Sequence, residues 1–352
     1  PHYHPLSPLL IDFNSTYDSL PDAVLPSRPN YPGGQERVAY HLELAKESHN
    51  QRFHSYPSGI WPAEGGISKD FLEILAASEF IWTASCEGVL AESLRKSHPN
   101  ELLPERGQYL YRAYKVLTGK GDVICFFRDD KLSDMIGFEY AKWYGRDAAE
   151  NFVHSLERIH HEINCTENPV VTIILDGENA WESYPYNGYY FLNDLYEMIG
   201  NHLVIKTTTF RDYLSHIKES NTEIALLPNL AAGSWVYGNF STWIGSHDKN
   251  LAWDILCEAK QSYDEVLKTG NLTNEEQALA RRQLASCESS DWFWWFGDYN
   301  SSQAVASFDR LFRKNLANLY GLLKQPVPSV LSEPISYGNS NARMIETMRR
   351  SN

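Results

Sequence analysis

The chain has 352 residues, enough for one large α/β domain or two smaller ones with a sizeable buried core. Its formal charge of −14 at pH 7 would repel phosphate backbones and anionic lipid, so we expect a neutral ligand and no nucleic acid or membrane partner. The five scattered cysteines include no CxxC pair, which argues against a disulfide framework or a zinc cluster and favours a cytoplasmic location.

The first 55 residues predict a short strand, a loop and one helix. Residues 3–10 are apolar and contain prolines, which is typical of a strand end, and residues 14–33 form a loop. Apolar residues recur at helical spacing over residues 34–53. His2 and His4 could bind a metal, but no carboxylate or cysteine lies at close spacing, so we predict no metal and no other cofactor.

A tight turn follows, in the segment YPSGIWPAEGGIS of residues 56–68. Pro62 is unfavourable inside a helix and Gly65 frees the backbone, so Glu64 is predicted to lie on a sharp turn beside Trp61, after a strand over residues 58–61. Ser68 is a candidate cap for a helix over residues 69–78. An ordinary exposed turn glutamate is the alternative for Glu64.

Two more short apolar strands are predicted at residues 80–84 and 123–127, with a connecting region over residues 88–120. The second strand ends in Arg128, Asp129 and Asp130. An arginine among acids can keep a catalytic carboxylate ionised, or can form a purely structural ion pair.

The run VVTIIL at residues 170–175 predicts a buried parallel strand, because it does not alternate apolar with polar residues. Asp176 and Glu178 follow at its carboxyl end, where α/β folds place ligand chemistry, and Trp181 comes next. Aromatic rings beside carboxylates suit a sugar, which has apolar faces and hydroxyl edges. Solvated acids on a turn are the alternative.

The elements together indicate a barrel followed by helices. A further strand is predicted at 203–208 and helices at 137–164, 187–200 and 210–219; six strands separated by helical or loop sequence indicate parallel βαβ units. The fold class is therefore α/β, a (β/α)7 barrel that lacks its first strand. We predict a barrel over residues 1–220, a helical domain over 221–325 with helices at 251–267, 274–286 and 302–323, and an irregular tail over 326–352 with a short helix near 341–350.

Five segments in this order resemble glycoside hydrolase family 57, in its α-amylase or α-mannosidase-like branch. They are IWPAEGGIS, FRDDKLSDMIGF, ILDGENAWE, SWVYGNFSTWIG and SSDWFWWFGD. The resemblance implies a (β/α)7 barrel with a helical region and a retaining mechanism on α-glucan or maltooligosaccharide, with Glu64 as nucleophile and Asp176 as general acid/base. The substrate-binding residues predicted from the pattern and the resemblance are His4, Trp61, Arg128, Asp129, Glu178, Trp181, Trp235, Trp243, Asp291 and Trp292.

The family's first motif, His-Gln-Pro on the first barrel strand, is not found. We therefore expect that an upstream N-terminal segment or a second chain completes the barrel. Two alternative functions follow: a carbohydrate-binding protein on an inactive barrel, and a metal-dependent deacetylase or mannosidase in which His2, His4 and Asp176 hold zinc.

Overall fold

The computed structural model describes residues 3–163, 167–177 and 181–340. In this part of the chain one mixed sheet has the strand order β1-β2-β4-β3-β5. Its strands are β1 (Gly59–Ile60), β2 (Trp82–Cys86), β3 (Tyr114–Thr118), β4 (Gly121–Arg128) and β5 (Ala225–Leu226).

The register of the sheet brings the carboxyl ends of β1, β2 and β4 to one edge. β1 pairs in parallel with β2, and β2 pairs in parallel with β4 from Trp82 opposite Ile124 to Cys86 opposite Arg128. β3 and β4 form an antiparallel hairpin, and β5 pairs in parallel with β3. The last six residues of β4 are all buried, as expected for a central strand covered on both faces.

Helices surround this sheet and continue beyond it. They are α1 (Ser7–Ile11), α2 (Gly34–Phe53), α3 (Lys69–Ala77), α4 (Glu87–Ser97), α5 (Arg106–Tyr109), α6 (Asp130–Asp134), α7 (Gly145–Glu162), α8 (Tyr189–Gly200), α9 (Phe210–Glu219), α10 (His247–Thr269), α11 (Asn274–Cys287), α12 (Asp291–Trp295) and α13 (Ser302–Leu322). Single turns of 3-10 or π helix lie at Phe13–Asp18, Ala63–Gly65, Met135–Glu139, Tyr140–Lys142, Pro185–Gly188 and Ser329–Ser332.

Most helix predictions from periodicity are confirmed to within a few residues, but the helix predicted over 137–164 begins only at Gly145, as α7. α2 and α9 have the predicted bounds, and Ser68 caps α3 by accepting a hydrogen bond from Phe71 N at 3.3 Å. α10, α11 and α13 fill the predicted helical region, where Trp253 stacks on Phe293 with 4.0 Å between ring centroids. No helix in the described ranges is both long and apolar enough to cross a bilayer.

Three predicted strands are wrong. Residues 3–10 contain α1 instead, with Pro8 in its first turn, where the missing proline N–H costs nothing. Residues 203–208 form no strand, and at their start the ring of His202 accepts the N–H groups of Val204 and Ile205 at 3.2 and 3.0 Å.

The run at 170–175 also forms no strand. Its carbonyls bond instead to groups around the end of β4: Thr172 O accepts from Asp129 N at 2.8 Å, and Ile174 O accepts from Arg128 Nε at 2.9 Å. The β-branched sequence indicated a buried segment, but only Val170 and Thr172 are buried and the other four residues are half-buried. A ladder also needs an aligned neighbouring strand, which the described chain does not provide.

The sequence prediction also missed two strands, β3 and β5, and the helices α4 and α5. Residues 88–120, predicted as a connection, contain most of α4 and the whole of β3, and β5 lies in a region assigned to the helical domain. The described sheet is thus open, and barrel closure is not seen. The short helix predicted near 341–350 lies outside the described residues.

Candidate active site

The candidate nucleophile lies on a strained turn directly after β1. Glu64 is in the 3-10 turn Ala63–Gly65 and has a φ of 58°, which is costly for a residue with a side chain. Its carbonyl accepts the N–H of Trp235 at 2.9 Å, and the carbonyl of Gly65 accepts from Ser85 Oγ at 2.6 Å. These bonds hold the turn in a conformation that the isolated segment would not favour.

Gly65 is required for the same turn. Its φ is 57°, and a Cβ here would lie 2.5 Å from the ring of Trp61. A side chain would therefore displace the tryptophan that lies beside Glu64.

Glu64 is a buried residue, 7% exposed, and its carboxylate is held at both oxygens. Trp235 Nε1 donates to Oε2 at 3.0 Å, and Ser290 Oγ donates to Oε1 at 2.8 Å. The imidazole of His4 lies 3.8 Å from Oε1 and 3.2 Å from Ser290 Oγ. Hydrogen bonds to the ionised form favour the carboxylate and fix its rotamer, which a nucleophile needs.

An open cavity of about 600 Å³ lies beside His4, whose Nδ1 is 3.8 Å from Glu64 Oε1. Four of the predicted site residues line it: His4, Trp61, Asp176 and Asp291. Trp61 meets Trp235 edge to face, with 5.6 Å between ring centroids. Two predicted carboxylates and a predicted tryptophan from distant parts of the chain therefore lie around one space, and His4 links this space to Glu64.

Arg128 connects the segment of Asp176 to the surroundings of Glu64. Its guanidinium bonds to Ile174 O, two residues before Asp176, and lies over the ring of Trp235 at 5.5 Å. It also donates to Asp130 at 2.8 Å and to Asp134 at 2.6 Å. Arg128 is 3% exposed, so these contacts make it a buried brace.

The pKa values around Arg128 reflect competition between burial and pairing. Burial opposes the charge on Arg128, but the two neighbouring carboxylates outweigh it and raise the pKa of the guanidinium. Burial raises the pKa of Asp130 to about 7, although the ion pair with Arg128 acts in the opposite direction.

Residues 1–228 match the profile described as Glycosyl hydrolase family 57. This match covers more than half of the chain. The chain belongs to glycosyl hydrolase family 57. It is therefore an enzyme of the glycosidase class. No curated protein sequence matches it.

Solved structures with the family 57 fold agree with this assignment. A family 57 branching enzyme from Thermococcus kodakaraensis superposes with a TM-score of 0.67 at 16% identity, over 99% of this chain and 73% of that one. An α-amylase from Thermotoga maritima gives 0.58 at 18% identity, over 82% and 64%. A 4-α-glucanotransferase from Thermococcus litoralis gives 0.57 at 15% identity, over 81% and 45%. The chain spans less than two thirds of the latter two proteins.

Two of the predicted substrate contacts need correction in this family 57 chain. Trp243 has no exposed surface, and its carbonyl accepts Trp253 Nε1 at 3.0 Å in the core. Asp129 is also fully buried; it accepts from Arg106 Nη2 at 2.7 Å and from Tyr111 at 3.0 Å. Both side chains stabilise the fold, and neither can touch a ligand in this arrangement.

The other predicted tryptophans are half-buried. Trp181 packs on Tyr184 with 5.4 Å between ring centroids. Trp292 packs on Phe312 at 5.9 Å, and its Nε1 donates at 3.0 Å to the carbonyl of Ser286, a residue that lines the cavity. Glu178 lies outside the described residues.

His4, Glu64 and Asp291 could in principle hold a metal, since their ligand atoms lie within 4.8 Å of one another. Tetrahedral zinc, with bonds of about 2.0–2.1 Å, needs ligand atoms about 3.3–3.4 Å apart. Glu64 is also already bonded by Trp235 and Ser290. The contacts of Glu64 therefore fit a carboxylate that acts as a nucleophile better than one that binds zinc. His2, which the deacetylase hypothesis requires, lies outside the described residues.

The sequence interpretation missed Tyr3 and Ser290. Tyr3 lines the cavity, and like His4 it has a positive φ, 65° and 49° respectively. Ser290 holds Glu64 from a segment 226 positions away. Its place in the aromatic segment SSDWFWWFGD was visible, but no local pattern distinguishes a serine that reaches a distant carboxylate.

Proposed function

We propose that this family 57 enzyme cleaves or transfers α-linked glucan with retention of configuration, Glu64 acting as nucleophile and Asp176 as general acid/base. The observation that carries the proposal is the Glu64 carboxylate, bonded at both oxygens and 3.8 Å from the ring of His4, which lines a cavity together with Asp176. The family 57 neighbours named as branching enzyme, amylase and glucanotransferase support the substrate class.

The chemistry requires the two carboxyl groups to differ in protonation. Retaining enzymes place them about 5–5.5 Å apart, one attacking the anomeric carbon and the other protonating the leaving oxygen. At that separation and an effective dielectric near 20, two negative charges repel by roughly 3 kcal/mol. The donors Trp235 and Ser290 favour ionised Glu64, which leaves Asp176 as the group that carries the proton.

The wall of the cavity suits a neutral sugar. Trp61 offers a ring for the apolar face of a pyranose, while Asp291 and His4 offer polar atoms for hydroxyl groups. Water access to the glycosyl–enzyme would decide between hydrolysis and transfer.

Azide rescue tests the two roles, using an α-glucosyl fluoride whose leaving group needs no proton. Asp176→Asn should still form the β-linked intermediate on Glu64, and azide should then attack it without a general base and give the α-azide. Glu64→Gln should lose turnover of fluoride and natural maltooligosaccharides alike, by at least about 10³-fold.

Asp291→Asn is the control, because it alters a cavity carboxylate that has no assigned proton or nucleophile role. Azide should not change its products. An inverted azide from Asp176→Asn, or rescue patterns exchanged between the two variants, would refute the assignment. Calorimetric binding of maltooligosaccharide by the unaltered protein without any turnover would support the carbohydrate-binding alternative instead.

We also propose that residues 1–220 form the family 57 barrel domain, in which a strand from a further segment or a second chain extends the open sheet at β1, with residues 221–325 as a helical domain. A groove of about 910 Å³ supports this. The groove lies between the edge strand β1, where Ser58 and Gly59 line it, and residues 204–209, which line its other side. An apolar strand in this groove would pair with the edge of β1.

A further inference from the structure

A fully buried carboxylate lies next to the candidate active site and has no part in the proposed mechanism. Glu288 is 0% exposed. It directly follows the last residue of α11 and lies two residues before Ser290. It accepts hydrogen bonds at both oxygens: Tyr31 at 2.6 Å and Arg37 Nε at 2.7 Å bond to Oε1, and Arg37 Nη2 at 2.7 Å bonds to Oε2. His41 Nε2 also lies 2.7 Å from Oε2.

The partners of Glu288 belong to α2 and the loop before it. Arg37 and His41 are four residues apart, so they lie on the same face of α2. Both are nearly inaccessible, with 6% and 1% exposure, and Tyr31 is 2% exposed. The cluster therefore fixes the backbone at residue 288 against α2, without contact with solvent.

That backbone leads directly to the residues that hold the nucleophile. Ser290 N donates to His4 O at 2.8 Å, and Ser290 Oγ donates to Glu64 Oε1 at 2.8 Å. Asp291, the next residue, lines the cavity. A shift of residue 288 by a fraction of an ångström would move two groups together. One is the Ser290 hydroxyl that donates to Glu64, and the other is Asp291 in the wall of the cavity.

We propose that Glu288, clamped by Arg37, Tyr31 and His41, is a positioning residue that sets the place of Ser290 and through it the attack geometry of Glu64. This inference rests on the proposed function, since it concerns the same nucleophile. Loss of the clamp should slow formation of the glycosyl–enzyme much more than it weakens sugar binding, because Ser290 bonds directly to the nucleophile, whereas Trp61 and Asp176 line the cavity from other segments.

The test measures covalent labelling of Glu64 by a slow-turnover fluorinated α-glucosyl fluoride, with the adduct located by mass spectrometry. Glu288→Gln, compared at saturating reagent, should label about 10- to 100-fold more slowly, the penalty expected for a misplacement of about 1 Å. The dissociation constant for maltotriose, from calorimetry, should change less than about twofold.

Asp309→Asn is the matched control. Asp309 is 1% exposed and is paired with Arg313 at 2.8 Å, so it is another buried acid that bonds to an arginine, on α13 away from Glu64. In Asp309→Asn, Glu64 should be labelled at the same rate as in the unaltered protein, at a temperature where both variants are folded. If Asp309→Asn slows labelling as much as Glu288→Gln, the effect is general loosening and the proposal is overturned.

A milder variant covers the case in which Glu288→Gln does not fold. Tyr31→Phe removes one donor from Glu288 Oε1 and should slow labelling by about 3- to 10-fold, the loss of one hydrogen bond to a charged group. Labelling at the unaltered rate by either folded variant would refute the positioning role while leaving the proposed function intact. An unaltered protein that binds maltotriose but never labels Glu64 would instead refute the proposed function, and this inference with it.

Discussion

At the scale of single residues, the two oxygens of Glu64 have different donors from different parts of the chain. Trp235 follows β5, while Ser290 follows α11. Hydrogen bonds to a carboxylate are stronger than those between neutral groups, so each donor limits the motion of the nucleophile. The residue that the sequence singled out is therefore oriented by residues from two later segments.

Trp235→Phe should reduce kcat by about 10- to 100-fold with little change in KM, because it removes a charge-assisted bond of about 1.5–3 kcal/mol and keeps an aromatic ring. Steady-state kinetics on maltooligosaccharides would measure this. Trp253→Phe removes an indole donor to the carbonyl of Trp243 and controls for loss of an indole. A rise in KM alone for Trp235→Phe would mean that the indole contacts substrate instead.

Glu288 should make the stability depend on pH. Burial opposes its ionised form, but Arg37 and His41 outweigh burial and lower the pKa of Glu288 from 4.5 to about 2. A lowered carboxyl pKa stabilises the fold above pH 4.5, and this contribution is lost as the pH falls towards 2. The shift corresponds to about 3 kcal/mol.

The free energy of unfolding of Glu288→Gln should therefore be furthest below that of the unaltered protein above pH 5. The gap should narrow by about 3 kcal/mol as the pH falls towards 2. Urea unfolding of both proteins across this pH range measures the difference between their free energies of unfolding. The contributions of the other carboxylates cancel in this difference. A gap that does not vary with pH would contradict the assignment of an ionised Glu288.

At the scale of elements, the crossing of α1 and α2 leaves no room for a side chain at the first residue of α2. A Cβ on Gly34 would lie 1.6 Å from the carbonyl oxygen of Leu10. α1 begins three residues after His4, so this contact also fixes the segment that places His4 beside Glu64.

Gly34→Ala should lower the free energy of unfolding by at least about 2 kcal/mol, since the contact is with rigid backbone and α1 must move away. Gly200→Ala, at the end of α8 with nothing within 4 Å of the added Cβ, should be neutral or stabilising by up to about 1 kcal/mol. Chemical denaturation compares the two. Equal stability of Gly34→Ala and the unaltered protein would show that the two helices can separate freely.

At the scale of the whole molecule, the groove beside β1 is a cavity of about 910 Å³ that the proposed chemistry does not use. Ser58 O accepts from Ile81 N at 2.8 Å, and backbone groups along a strand alternate in direction, so we expect the amide of Gly59 to face the groove. If a strand fills the groove in the complete protein, this amide should be protected there.

Hydrogen exchange at Gly59 tests this expectation. The amide should exchange at least about 100-fold faster in residues 1–352 alone than in the protein isolated from its natural source. The central strand β4 offers the internal control, since its amides should be protected in both. Equal exchange at Gly59 in the two samples would exclude the added strand.

Local patterns gave the helices and the catalytic candidates because these depend on nearest neighbours. Helical periodicity determined the bounds of α2 and α9, and the Pro62–Gly65 turn identified Glu64 before any contact was known. The acid at the end of the 170–175 run was also found, although that run forms no strand.

Tertiary structure alone decided strand pairing, burial and orientation. A β-branched run specifies extended backbone, but whether it joins a ladder depends on a partner far away in sequence, so 170–175 bonds to Asp129 and Arg128 while β3 and β5 pair unexpectedly. Exposure is likewise non-local, which is why Trp243 was predicted at the ligand and lies in the core. The sequence by itself determined which carboxylate sits on a strained turn. Only the fold brought Ser290 and Trp235 to it, because hydrogen bonds across more than 150 positions have no local signature.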